Sequence, residues 1–145
     1  MSWENEYKSK LTTAEKAVEL IKSGNRVVIG HACGEPSYLV DAMVANAESY
    51  HDVEIVHMVA MGKAGYAQPG MESHFRHNAL FVGGTTRKAV AEGRGDYTPC
   101  FFYRIPSLFT NGSLPVDVAL VQATPPDENG NMSLGISVDL SLIHI

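Results

Sequence analysis

The chain has 145 residues, 45% of them hydrophobic and 19% charged, and its formal net charge is −5. This composition is typical of one globular domain and excludes a disordered chain or a protein whose main partner is nucleic acid. No apolar run approaches the roughly 20 residues that span a bilayer, and the amino terminus lacks the apolar stretch of a signal peptide. We therefore expect a cytoplasmic protein that does not insert into a membrane.

The amino-terminal third of the chain predicts two helices around a buried strand. Residues 12–15 fit a capping box, in which a hydroxyl and a carboxylate three residues later bond the free amides of a helix start. The helix that follows ends at Gly24, since glycine favours the left-handed conformation after a helix. Residues 26–30 form an apolar, β-branched run typical of a buried strand, and Pro36 begins a second helix that extends to about residue 46.

The rest of the chain predicts further strands, separated by loops and one short helix. Apolar and β-branched runs bounded by turn residues predict strands at 53–59, 79–82, 116–123 and 132–138. Between them we predict a loop at 61–71, a short helix that follows 83–86 and ends near 92, a helical turn at 106–109 and a turn at 125–131. We expect the aromatic residues 101–103 and Phe109 to belong to the core.

Strands that alternate with helices predict an α/β fold, with an open, mostly parallel sheet covered by helices on both faces. Ligands of such sheets collect at the carboxyl ends of the strands. Here those ends are segments 30–36, 59–65, 83–86 and 123–127. These segments are therefore the first places to look for a functional site.

The turn of residues 30–36 combines several features of a ligand-binding turn. Its glycines let the backbone approach a ligand closely, and the helix start offers free amides to an anion. An ordinary tight turn accounts for the pattern equally well. Glu35 is the one carboxylate at this edge and is of a type that acts as nucleophile or base, although an acid favoured by the helix dipole is the more ordinary interpretation.

Other candidate patterns are weaker. Residues 83–88 could hold a phosphate, but they lack the Walker and dinucleotide-binding patterns. His74 and His77, with Glu72 and His57 near them in the sequence, have metal-ligand spacing, but no second cluster completes four ligands, so we predict no metal site. The two cysteines, Cys33 and Cys100, are expected to be reduced and buried as small apolar residues, and are not assigned as nucleophiles.

Short motifs in one collinear order carry a family resemblance that covers residues 10–139. They are found at 30–36, 75–77, 81–83, 87–90, 93–94, 96–99, 105–109, 117–119 and 125–135. In this order they resemble the amino-terminal domain of the acetyl-CoA hydrolase/transferase family. Within the family, the resemblance is greatest to members that act on 4-hydroxybutyrate, butyrate and acetate.

The resemblance implies an acyl-CoA:carboxylate CoA-transferase with two α/β domains and the active site between them. A glutamate of the carboxy-terminal domain would attack the acyl-CoA thioester and form a glutamyl-CoA thioester, from which CoA passes to a second carboxylate. Acyl-CoA and a short carboxylate would be substrates, with no permanently bound cofactor. We expect the full-length protein to be a homo-oligomer.

The nucleophile implied by the resemblance lies outside this chain, so we assign no catalytic residue here. By position at the ligand edge, the candidate substrate-binding residues are Gly30, His31, Gly34, Glu35, Pro36, Met61, Gly62, Tyr66 and Gln122. Three alternatives stay open: an acyl-CoA hydrolase of the same family, a non-catalytic subunit of a two-chain transferase, and a sugar-phosphate isomerase on a similar fold.

The last six residues, 140–145, correspond to the translation of a common transposase sequencing adapter. We therefore expect one amino-terminal CoA-transferase domain over residues 1–139, from a truncated gene, followed by six foreign residues.

Overall fold

The computed structural model describes residues 2–138, which contain five strands and five α-helices. The strands are β1 Arg26–Ile29, β2 Val53–His57, β3 Phe75–Ala79, β4 Gly95–Tyr97 and β5 Val118–Leu120. The helices are α1 Trp3–Lys10, α2 Ala14–Val18, α3 Ser37–Ala45, α4 Arg87–Ala91 and α5 Ile105–Thr110. All the strand pairs are parallel, in the order β4-β3-β2-β1-β5, so the predicted α/β fold is confirmed.

Alternate residues of each strand face two separate apolar clusters. On the first face, Val27 and Ile55 pack with residues of α2, α3 and α4. On the second face, Val28 and Val56 pack with Ile105 of α5. Because successive side chains of a strand point to opposite sides, each short apolar run contributes to both clusters. The sheet is therefore covered on both faces, as predicted.

The amino-terminal helices differ from the sequence prediction. Thr13 is the cap residue, and its hydroxyl accepts the N–H of Lys16 at 3.4 Å. Glu15 consequently lies one position too early to complete a capping box, so that prediction is wrong. Helix α2 is also shorter than predicted, although Gly24 does adopt a left-handed φ of 78°. Helix α1 was not predicted, because it has no buried residue and therefore no apolar stripe to reveal it.

Three strand predictions are corrected. The strand placed at 79–82 lies at Phe75–Ala79, where polar side chains with partners of their own interrupt the apolar pattern. The strand placed at 116–123 is limited to Val118–Leu120. Residues 132–138 form no strand. Only a few hydrogen bonds join this segment to the chain before it, for example from Thr124 N–H to the carbonyl of Ser133 at 2.8 Å.

Two burial predictions are also wrong. Cys33 is exposed, because it lies on a 3-10 turn at the rim of the sheet. The aromatic residues 101–103 are 64–73% exposed. The 3-10 turn Phe102–Arg104 directs successive side chains in different directions, and the neighbouring Ile105, 2% exposed, occupies the core position.

A ladder of polar side chains crosses the second face of the sheet. Glu54 of β2 accepts hydrogen bonds from Arg26 Nε and from Asn78 Nδ2, each at 2.7 Å. Asn78 Oδ1 in turn accepts from the hydroxyl of Thr98 at 2.8 Å. Polar groups that leave water are stabilised by such partners, so the ladder allows polar residues on a largely covered face.

Within residues 2–138, no helix combines the length and the apolar character that crossing a bilayer requires.

Candidate functional site

The turn that follows β1 is held tightly against neighbouring backbone. A Cβ atom on Gly30 would lie 2.8 Å from the carbonyl oxygen of Gly34, and one on Gly34 would lie 2.9 Å from that of Ser137. Ala32 adopts a left-handed φ of 52°, which is costly for a residue with a side chain, and donates its N–H to Val59 O at 2.9 Å. The close packing of the backbone against itself therefore explains why glycine is needed at both positions, before any ligand is considered.

Glu35 connects this turn to the loop after β2. Its Oε2 accepts the backbone N–H groups of Met61 at 2.7 Å and of Gly62 at 2.9 Å. The side chain is nearly covered, with 7% of the residue exposed. Its Oε1 also occupies the space that a Cβ atom on residue 62 would need, so Gly62 is required for this contact. The carboxylate thus clamps the loop after β2 to the turn after β1.

Behind the clamp lies a buried cluster of rings. His57 Nε2 is 3.9 Å from Glu35 Oε2, and its Nδ1 is 2.7 Å from the hydroxyl of Tyr66. The ring of Tyr66 lies against that of His77, with 5.4 Å between ring centroids. Each of these three ring residues is 1% exposed. The cluster faces the first side of the sheet, because His57 and His77 continue the alternation of Ile55 and Phe75.

Burial keeps this cluster electrically neutral. Burial, followed by the neighbouring His77 and His31, lowers the pKa of His57 to about 3. It also lowers the pKa of His77 to about 4. The pKa of the Tyr66 hydroxyl is raised above its ordinary value by burial and then by the Glu35 carboxylate. At neutral pH the imidazoles are therefore uncharged and the phenol keeps its proton.

Neutral imidazoles carry one proton each, and the hydrogen bonds indicate where it lies. His77 Nδ1 faces the carbonyl of Ile55 at 3.2 Å, so this nitrogen must carry the proton. For His57, a Tyr66 hydroxyl that donates to Nδ1 leaves the proton on Nε2, which faces Glu35. We infer this arrangement for His57 because it directs an N–H toward the carboxylate.

The structure brings some of the sequence candidates together and leaves others apart. Glu35, Met61 and Gly62 are in direct contact. Tyr66 joins them through His57 but is fully buried, so it supports the loop without reaching the surface. His31 and Pro36 are buried within the same turn, next to Glu35. Gln122 is exposed two residues beyond β5, and no described contact joins it to this cluster.

Residues of the weaker candidate patterns make structural contacts. Thr85 of the turn before α4 donates its hydroxyl to Ala60 O at 2.9 Å, which ties that turn to the loop after β2. His74 Nδ1 lies 3.0 Å from Tyr50 O. Among residues 2–138, no three side chains of the types that bind metals are grouped together. His57 was missed as a member of the cluster, although a histidine at an apolar position of a buried strand was the available signal.

Comparison with known families gives one match over nearly the whole chain. The model of the acetyl-CoA hydrolase/transferase N-terminal domain matches residues 1–144. A solved structure of similar fold is the 4-hydroxybutyrate CoA-transferase from Porphyromonas gingivalis, with a TM-score of 0.74 and 31% identity. The match covers 93% of this chain and 30% of that one.

Three curated relatives are similar in sequence. The 4-hydroxybutyrate coenzyme A transferase of Clostridium kluyveri is 61% identical over 139 residues, which is 96% of this chain and 32% of the relative. The succinyl-CoA:acetate/propanoyl-CoA:succinate CoA transferase of Fasciola hepatica is 36% identical over 90% of this chain and 27% of its own length. The butyryl-CoA:acetate CoA-transferase of Anaerostipes caccae is 31% identical over 94% of this chain and 31% of its own. The chain thus spans about a third of the length of these relatives.

Proposed function

The chain belongs to the acetyl-CoA hydrolase/transferase family, and on that premise we propose that it is the amino-terminal part of an acyl-CoA:carboxylate CoA-transferase. The observation that carries the proposal is the 61% identity to a 4-hydroxybutyrate coenzyme A transferase. The other relatives are named for butyryl, succinyl, propanoyl and acetate groups. We therefore propose short-chain acids of the 4-hydroxybutyrate, butyrate and acetate type as substrates.

In the proposed reaction, a glutamate carboxylate attacks the thioester carbonyl and CoA leaves as a thiolate. The thiolate then attacks the glutamyl carbonyl of the mixed anhydride, so that the first acid is released and a glutamyl-CoA thioester remains. A second carboxylate receives CoA by the reverse steps. We propose that this glutamate lies in the part of the relatives that this chain does not span. The CoA thioester is then a substrate, and the exchange of one thioester for another requires no resident cofactor.

The contacts of Glu35 support a nucleophile elsewhere. Its Oε2 already accepts two backbone N–H groups, and its Oε1 is packed against Gly62. An attacking carboxylate must instead present an oxygen to the substrate. We propose that Glu35 positions the loop of Met61 and Gly62 as one wall of a substrate site.

The other residues at this edge complete the proposed wall. Gly30, His31, Gly34 and Pro36 belong to the turn that carries Glu35, and Gln122 follows the neighbouring strand. A carboxy-terminal domain would supply the opposite wall. We also propose that the full-length protein is a homo-oligomer. Tyr66 would act only from behind the loop, since it is buried.

A chimera tests the proposal directly. Residues 1–138 of this chain would replace the matching segment of the Clostridium kluyveri relative, and the purified chimera would be assayed with butyryl-CoA and acetate. We expect acetyl-CoA to form with the chimera and not with the present chain alone. CoA release that does not require acetate would indicate a hydrolase. A folded chimera without either activity, beside an active parent enzyme, would contradict the proposal.

A further inference from the structure

A groove of about 290 Å³ opens at the carboxyl ends of β2, β3 and β4. Its floor is formed by buried side chains, among them Met58, Leu80 and Ile105, which are 2–4% exposed. Its walls include aromatic side chains that are 50–64% exposed. The full lining is Met58, Val59, Leu80, Phe81, Tyr97, Cys100, Phe102 and Ile105. The groove is thus concave, with an apolar floor and aromatic walls.

The chemistry of the lining selects an uncharged occupant. None of the lining residues carries a charged side chain, and the side-chain heteroatoms are those of Met58, Tyr97 and Cys100. A carboxylate or phosphate in this groove would lose water without gaining a cation as partner. A hydrocarbon chain would gain by leaving water. The volume is at the lower end of the range for ligand pockets, which suits a short aliphatic chain.

The groove and the loop held by Glu35 share one segment of chain. Met58 and Val59 line the groove, and three residues later Met61 and Gly62 donate their backbone N–H groups to the Glu35 carboxylate. Between them, Ala60 O accepts the hydroxyl of Thr85. The segment that lines the groove is therefore fixed on both sides, and it continues directly into the clamped loop.

We propose that this groove binds the hydrocarbon chain of the acyl group, with the acyl carbonyl beside the loop of Met61 and Gly62. The identity of the ligand rests on the proposed function. Phe81, Tyr97 and Phe102 then limit the length of chain that fits, because they form the walls. This assigns the choice of acyl chain to the amino-terminal domain.

Cys100 provides a probe within the groove, and Cys33 lies exposed outside it. The Cys33→Ser variant of the chain leaves one thiol, whose alkylation by iodoacetamide would be followed by mass spectrometry. We expect hexanoyl-CoA and hexanoate to slow alkylation several-fold. Acetyl-CoA and acetate, which have the same polar groups without the chain, should leave the rate nearly unchanged.

Two neighbouring substitutions localise the effect. Phe102→Ser removes a wall of the groove, and Phe101→Ser changes an aromatic residue that is 73% exposed and does not line it. In the Cys33→Ser background, the first should abolish protection by hexanoate and the second should retain it. Circular dichroism would establish that both variants are folded.

Three results would overturn the proposal. The first is an equal alkylation rate of Cys100 with hexanoate and with acetate, and the second is protection that is lost in Phe101→Ser but kept in Phe102→Ser. The third is an alkylation rate that decreases as the protein concentration increases, before any ligand is added. The last result would assign the groove to a second copy of the chain. An inactive chimera, combined with protection of Cys100 by hexanoate, would refute the proposed transferase activity but would retain the groove as a binding site for an apolar chain. An active chimera without protection would refute the groove alone.

Discussion

At the scale of single residues, a nearly covered anion and neutral rings lie side by side. Glu35 is satisfied by two backbone amides, so it needs no cation beside it. His57 and His77 remain uncharged because burial lowers their pKa values to about 3 and about 4. The cost of this arrangement appears in acid, where an unfolded chain can protonate its histidines and the folded chain cannot.

Stability is accordingly expected to fall as the pH decreases below about 6.5. Both histidines have lower pKa values in the folded chain than the ordinary 6.5, so between about pH 4 and 6.5 the unfolded state binds more protons. Each histidine contributes a slope of up to about 1.4 kcal/mol per pH unit to the free energy of unfolding. This slope disappears below the folded-state pKa, where both states bind the proton. Urea unfolding at several pH values measures it.

Substitution separates these histidines from the other titrating groups. His77→Leu removes one of the two imidazoles whose pKa burial lowers to about 3 and about 4, so the part of the slope between pH 5 and 6.5 that these two rings contribute should fall by about half. His51→Asn changes an exposed histidine and should leave the slope as it is. A slope that is equal in all three proteins would show that the buried rings are not its source.

The sequence could supply part of this residue-level picture. Glu35 and the glycines of its turn were found by their place after an apolar strand, because ligand edges and tight turns share those residues. The partnership of Glu35 with the amides of Met61 and Gly62 could not be found, because it joins residues 26 and 27 positions apart through backbone atoms. Nothing in the local pattern encodes such a contact.

At the scale of elements, the strands that were predicted correctly are the ones in which Val and Ile predominate. Strands β1 and β2 bury Val and Ile on both faces, so their existence follows from composition. Strand β3 carries Arg76, His77 and Asn78, which are acceptable only because neighbouring strands satisfy them. The strand was therefore predicted three to four residues too late, at the apolar run that follows it.

The polar ladder should consequently contribute more to stability than an exposed ion pair does. Glu54→Ala would leave the half-buried Arg26 guanidinium and the Asn78 amide without their shared acceptor. We expect a loss of about 1–3 kcal/mol in the free energy of unfolding, measured with urea at pH 7.

The exposed pair of Arg76 and Asp96, on β3 and β4, supplies a matched control. Its two hydrogen bonds, of 2.7 and 2.6 Å, have good geometry, but both side chains are about half exposed to solvent. Asp96→Asn should therefore cost less than about 1 kcal/mol. Equal losses for Glu54→Ala and Asp96→Asn would indicate that burial of the ladder adds nothing.

At the scale of the whole molecule, alternation of helix and strand predicted a parallel sheet but not its strand order. Strand β5 pairs with β1, although about 90 residues separate them in the sequence. The backbone N–H of Arg26 also donates to Asp117 Oδ2 at 2.7 Å, at the start of this pairing. This pairing brings the chain after β5 to the edge that carries the Glu35 turn. The proposed wall of the substrate site is therefore assembled by long-range pairing, which local sequence patterns do not specify.

Glu35→Gln in the active chimera distinguishes a positioning carboxylate from a nucleophile. A glutamine keeps one oxygen for the loop amides but loses the charge, so Met61 and Gly62 should be held less firmly. A displacement of about 1 Å at a reacting centre lowers rates by about 100-fold. We expect a reduced rate of transfer with continued formation of a covalent enzyme–CoA thioester, detected by mass spectrometry of the intact protein. Asp41→Asn, at an exposed pair with Lys63, should behave as the parent chimera. Loss of the covalent species in Glu35→Gln alone would instead make Glu35 the attacking group, and the nucleophile would then belong to this domain.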